Sequence, residues 1–157
     1  MTVSAIVTVR ITLPFLLPRL FIPYLQGEVA RYSGYTVNML HYEDAARLAL
    51  AILRGDGNSE GPYRSKVFVG TDGNPLTFQE MVDACFESGL FGQGSVKFTG
   101  TPETSGLGKV VVNESTRKQL GGWEPRYESF KSFFLENKGK DYYNSGAKTA
   151  VGAPHQG

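Results

Sequence analysis

The sequence predicts an α/β fold, and three observations carry the prediction. From Val3 to Leu13 the odd positions are apolar (Val3, Ala5, Val7, Val9, Ile11, Leu13) while the even ones are mostly Thr, Ser or Arg, the alternation of a strand. In "AARLALAIL" the spacing becomes helical and is stopped by Gly55. Beyond it, short apolar runs alternate with segments that open on helix-capping residues. The runs are too few for a complete doubly wound sheet.

After the first strand a Pro-interrupted connector reaches about Gln26, and "GEVARYSGY" reads as a Gly-containing turn region. "VNML" is a short extended piece, and Asp44 can serve as N-cap of the helix that follows. "GDGNSEGPYRS" is a surface loop by composition, "KVFVG" a short buried strand and "TDGNP" a polar turn. Thr77 and Glu80 stand at N-cap and N3 of a capping box that opens the helix "FQEMVDACFESG". "SVKFTG" is a second short strand, "TPETSGLG" a loop and "KVVVN" a third strand. Asn113 can cap "ESTRKQL", which Gly121 and Gly122 end. "WEPRY" turns the chain, and Ser129 caps a last helix with Phe130, Phe133 and Phe134 on its inner side. From Lys138 the tail is rich in Gly, Lys, Ser and Pro without an apolar period, the composition of a disordered segment. These signals divide the chain into 1–26, a residual strand with its connector, 27–137, one α/β unit, and 138–157, the tail.

Composition excludes several classes of function. The 157 residues suffice for one core, and 16 basic against 15 acidic side chains give a formal charge of +1, so no strong field gathers nucleic acid or an anionic membrane. Cys85 is the only cysteine, which leaves no internal disulfide or thiolate cluster, and its helical companions Met81, Val82 and Phe86 mark it as a buried structural thiol. His41 and His155 have no companion at metal-ligand spacing, so no metal site is expected. Arg10, Arg19 and three prolines interrupt the apolar N-terminus, which fits neither a spanning helix nor a secretory signal. A reducing, cytoplasmic location (or an organelle stroma) follows, rather than secretion.

A dinucleotide loop needs glycines between a strand and a helix so that backbone N–H groups meet the pyrophosphate. "GQGSVKFTG" has the wrong third spacing and runs into a strand, and "GLGK" lacks the upstream glycine; both read as turns. "YESFK" sets Tyr127 and Lys131 four apart, the spacing by which a Lys lowers a Tyr pKa, but it stands at the end of the folded region and reads better as a helix-start Tyr and an exposed Lys. "NES" at Asn113 reads as a cap rather than a glycosylation acceptor. The remaining candidate is "YTVNMLHYEDAARLALAIL", where His41 can donate a proton or hydrogen bond, Asn38 can read a carbonyl or hydroxyl, and Tyr42 can form an aromatic wall. The plainer account is a capped helix with Leu40 and the alanines in the core.

In order, "VNMLHYEDAARLALAIL", "VFVGTDGNPLTFQEMVDAC" and "KVVVNESTRKQLGGWEPRYESF" resemble the C-terminal part of extended short-chain dehydrogenase/reductases, the NAD-dependent epimerase/dehydratase group, over about Val37 to Phe134. Val7, Val9, Arg10, Phe15 and Arg19 look like that family's late Rossmann strand and the Arg-containing loop after it, here "FLLPR" without its glycines. The resemblance implies a partial Rossmann-like fold: the last strands of a parallel sheet plus the small C-terminal substrate-binding α/β subdomain. It also implies an absence, because the family's Gly-rich loop and its Ser/Thr, Tyr and Lys catalytic set precede the point where this chain begins. No catalytic or cofactor-binding residue is then expected here, NAD or NADP belongs to a full-length relative, and Asn38, His41 and Tyr42 are substrate-side candidates. Sugar-nucleotide members carry an Arg just before the His motif and another before the penultimate helix; Val37 and the start of "TPETSG" hold those places, closer to atypical, reductase-like members. The implied activity is hydride exchange with a small carbonyl or alcohol, absent from the isolated chain. The alternative is a non-catalytic module that docks on a full-length relative, or on another copy, through the face left by the missing half.

Overall fold

The computed structural model describes residue 25, residues 27–92 and residues 94–136. The predicted strand Val3–Leu13, the connector before Leu25 and the predicted tail lie outside them. In chain order the described residues form β1 (Gly27–Val29), β2 (Thr36–Val37), α1 (Tyr42–Arg54), β3 (Leu76–Thr77), α2 (Phe78–Glu87), β4 (Val96–Phe98), α3 (Pro102–Ser105), α4 (Glu114–Gln119) and α5 (Phe130–Leu135). β1 pairs in parallel with β4, Gly27 opposite Val96 and Val29 opposite Phe98. β2 and β3 form an antiparallel pair, Thr36 opposite Thr77. The α/β class holds. None of the described helices is long and apolar enough to cross a membrane.

Local signals place most of the helices. Gly55 ends α1 with φ 76°, and a Cβ there would meet the Gly61 carbonyl oxygen at 2.4 Å, so both its freedom and its size are used. At the start of α2 the Thr77 hydroxyl accepts from the Glu80 N–H at 3.2 Å, and the Glu80 carboxylate accepts from the Thr77 N–H at 2.7 Å, the predicted capping box. Ser129 caps α5 in the same way with Ser132 as its partner.

Several expectations are corrected. "GEV" is not turn but strand β1, too short to show a period and paired with residues far along the chain. The N-cap of α1 is His41, extended at φ −63° and ψ 142°, whose Nδ1 accepts from the Glu43 N–H at 3.3 Å; Asp44, one turn inside, is drawn away to more distant partners. "KVFVG" and "KVVVN" form no strand ladder, although their side chains alternate: Phe68 is buried while Val67, Val110 and Val112 are exposed. "TPETSGLG" contains the short helix α3, which Thr101 caps. Asn113 occupies the N-cap position of α4 without a capping hydrogen bond, because its side-chain amide donates to the Thr71 carbonyl at 2.6 Å.

Two apolar clusters form the core. In one, Met81, Val82 and Cys85 of α2 pack on Phe130, Phe133 and Phe134 of α5. Cys85 is fully enclosed and burial pushes its thiol pKa up, the inert state expected of a structural thiol. In the other, Leu48 and Ile52 of α1 pack on Leu40, Phe68 and Leu120. Each such side chain contributes roughly 1.5–3 kcal/mol by leaving water.

Candidate functional site

Between β2 and the segments that failed to become strands lies a half-open groove of about 870 Å³. Its walls are residues 35–38, residues 67–71, and residues 105–109 with Val111. The third wall is clasped to β2. The Thr36 N–H donates to the Leu107 carbonyl at 2.9 Å, and Thr36 and Gly108 form a single parallel bridge. Gly108 is required there: at φ 75° a Cβ would lie 2.1 Å from the Thr36 carbonyl oxygen.

Asn38 holds the next turn of that wall. Its Nδ2 donates to the Lys109 carbonyl at 2.6 Å and its Oδ1 accepts from the Val111 N–H at 2.8 Å. One side-chain amide thus does what a neighbouring strand would do for "KVVVN", binding its backbone at two points. The 67–71 wall is held from behind by the Thr116 hydroxyl, which accepts from the Val69 N–H at 2.8 Å, and by Asn113. The lining carries polar side chains at Tyr35, Thr36, Thr71 and Ser105 and one cation, Lys109, beside Asn38, whose amide holds the wall; the Thr71 and Ser105 hydroxyls accept from the Gly73 and Tyr32 N–H groups. The lining residues contain neither a carboxylate nor a histidine; their titratable side chains are those of Tyr35 and Lys109.

His41 and Tyr42 are not among its lining residues. His41 is 3 % exposed, with its ring 3.8 Å from that of Tyr127, 4.5 Å from Tyr42 and 5.1 Å from Phe133. Burial holds its pKa below the usual histidine value, against the pull of Glu43 and Asp44. Of the three substrate-side candidates the structure therefore sets Asn38 in the groove and the other two in an aromatic cluster at the start of α1.

Tyr127 and Lys131 do not share a helix, because α5 begins at Phe130. The Tyr127 hydroxyl donates to Glu43 Oε2 at 2.8 Å, and its pKa is raised, by burial first and by that bond second, the opposite of what a catalytic tyrosinate needs.

Asp72 was hidden in the polar turn. It is buried, its Oδ1 accepts from the Asn74 N–H at 2.8 Å and its carboxylate accepts also from the Phe130 N–H, which ties the turn to the first residue of α5. Burial outweighs these bonds and raises its pKa to about 6. The folded state thus holds this proton more tightly than the unfolded chain. Its contribution to stability is complete below the ordinary carboxylate pKa and is lost as pH rises through about 6. Thermal melts from pH 4 to 7 are expected to show Asp72→Asn gaining on the natural chain as pH rises, by less than about 3 kcal/mol. The only signal in the sequence was Asp-x-Asn in a turn.

No protein-family model matches the chain, and no curated protein matches it. Among solved structures it is similar to RMD from Pseudomonas aeruginosa complexed with NADPH, at 13 % identity and TM-score 0.52 over 73 % of this chain and 35 % of that one. It is also similar to the UDP-N-acetylglucosamine 4-epimerase from Methanobrevibacter ruminantium M1 in complex with UDP-N-acetylmuramic acid, at 12 % identity and TM-score 0.54 over 74 % of this chain and 36 % of that one. The fold is part of a Rossmann-type α/β fold. The chain spans about a third of the length of either neighbour.

Proposed function

We propose that this chain is the substrate-side portion of an NAD(P)-dependent epimerase/dehydratase-like oxidoreductase, inactive alone, which completes a site for a small carbonyl or alcohol only when a nucleotide-binding body meets its groove. The observation that carries the reading is the groove itself, which presents Tyr35, Thr71, Ser105 and Lys109 and neither a carboxylate nor a histidine. A cofactor-binding partner would have to bring the reactive centre. NAD or NADP is the cofactor class this assigns to the partner, in keeping with the NADPH bound by one structural neighbour, and the cytoplasm is the matching compartment.

A second reading is favoured by exposed apolar side chains. Val67 and Leu107, in the groove's lining, are 68 % and 63 % exposed, and Val110 and Val112, outside it, are each 63 % exposed; exposed branched side chains suit association. On this reading the chain docks on a full-length relative or on its own copy without completing any chemistry.

Titrating the purified chain with NADH and NADPH, alone and with a full-length homologue, separates these readings. The substrate-side reading expects no saturable cofactor binding by the chain alone and turnover that changes when both proteins are present. Cofactor binding or turnover by the isolated chain would overturn it; association that leaves turnover unchanged selects the docking module. In either case Val67→Lys is expected to weaken the association by about tenfold or more, corresponding to about 1.4 kcal/mol, measured by calorimetry or sedimentation.

A further inference from the structure

The segment "KVFVG" has a strand's alternation and half of a strand's bonds. In extended backbone the N–H and C=O groups of successive residues point to opposite edges, so residues 69 and 71 serve one edge while 68 and 70 serve the other. The first edge is filled. The Val69 N–H donates to the Thr116 hydroxyl at 2.8 Å, and the Thr71 carbonyl accepts from the Asn113 amide at 2.6 Å. On the second edge the backbone N–H and C=O groups of Phe68 and Gly70 have no hydrogen-bond partner among the described residues. Both residues are buried, Phe68 with 1 % of its surface exposed, and both line the groove. Native proteins seldom leave buried backbone groups unmet, because each costs about 1–3 kcal/mol. The edge at Val110 and Val112 makes no such demand, since both residues are exposed to water.

We infer that the edge at Phe68 and Gly70 is the seat of the chain's own segment Val3–Leu13, which adds to residues 67–70 as a parallel strand. In a parallel ladder Phe68 and Gly70 each give one N–H and take one N–H, so a single neighbour meets all four groups. Val67, Phe68 and Val69 are apolar on both faces of the segment, the composition of an interior strand rather than an edge.

Three features select this occupant. Val3, Ala5, Val7, Val9, Ile11 and Leu13 alternate with mostly polar residues, the pattern that extends a sheet, and the tail from Lys138 has no such period. The segment is also tethered nearby. Leu25 is buried in one cluster with Val37, which lines the groove, and residues 14–24 can span about 36 Å when extended, several strand spacings. Such a tether gives an effective concentration that a second copy in dilute solution does not match. The direction follows from the connection: α1 lies between the two segments, and a long crossover with a helix is what parallel strands need, β1 and β4 being paired in this way already. The inference goes beyond the function proposed above and holds whether or not a cofactor-binding body joins this chain.

NMR of the full chain in dilute solution tests it. Nuclear Overhauser contacts are expected between backbone protons of residues 3–13 and those of residues 67–70, with slow exchange of the Phe68 and Gly70 amides. The double variant Thr8→Pro, Val9→Pro puts a proline on each parity of the segment, so a ladder bond is lost whichever edge faces 67–70. Exchange at Phe68 and Gly70 should then quicken about tenfold or more while Leu48 and Ile52 of α1 keep their protection. Unchanged exchange in the double variant, or absence of the contacts from the natural chain, would overturn the inference. Protection that rises with protein concentration would overturn it too and give the edge to a second copy. If α1 also loses protection, the double variant has not folded, and the contacts in the natural chain decide alone.

Discussion

Asp44→Ala is expected to lower the unfolding free energy by about 4 kcal/mol, enough to leave a marginal domain largely unfolded. The Asp44 side chain is fully buried and has three donors: the N–H groups of Arg126 and Tyr127 and the guanidinium of Arg47. Removing it leaves two backbone N–H groups without their acceptor, at about 1–3 kcal/mol each, and leaves a void besides. Arg47 bounds the estimate from the other side. Its side chain is 47 % exposed, so Arg47→Ala removes a partly solvated pair and is expected to cost less than about 1 kcal/mol. Urea unfolding of the two variants checks the contrast; equal costs would mean that the ion pair, and not the pair of backbone N–H bonds, matters.

Gly108→Ala is expected to cost about 3–4 kcal/mol and to open the groove. An alanine at φ 75° carries about 1–2 kcal/mol of left-handed strain. The added Cβ would also meet the Thr36 carbonyl oxygen at 2.1 Å, backbone that has no rotamer by which to yield, so the bridge between the two walls must part. Gly106→Ala is the control. Its backbone, at φ 74° and ψ 178°, lies in a region essentially reserved for glycine and nothing lies within 4 Å of a Cβ there, so it bears backbone strain alone and should cost about 1–3 kcal/mol. Denaturant melts measure both costs, and partner association measured alongside them reports whether the groove has changed.

The features legible in the sequence are those whose partners lie within a turn or so. Gly55, the Thr77–Glu80 box and Ser129 are each satisfied within four residues, and all three stand where the pattern put them. The start of α1 was not legible in that way. His41 and Asp44 can both cap a helix, and the choice between them was made by Arg126 and Tyr127, more than eighty residues on. "KVFVG" and "KVVVN" carry strand propensity without a ladder, because a ladder needs a neighbouring backbone and "KVVVN" is met by the side chain of Asn38 instead. The candidate site shows the same division. Asn38, His41 and Tyr42 are close in sequence, but Asn38 directly follows β2 while His41 and Tyr42 open α1, and that change of period sends Asn38 to the groove and the two rings elsewhere. Asp72 gave only a turn signal, since its burial depends on the arrival of α5.

The parallel pairing of β1 with β4 bears on the order in which the chain folds. The salt bridge on this pair, Glu28 with Lys97, joins residues 69 apart in the chain, and both side chains are mostly exposed. Closing a loop of that length is entropically costly, and three residues a side with a solvated ion pair return little until the rest is in place. α1 and α2, whose stop and start signals are local, can form ahead of it. The β1–β4 pair is then the late-zipping element, with its contacts largely unformed in the transition state. Changes there should alter how fast the chain unfolds far more than how fast it folds.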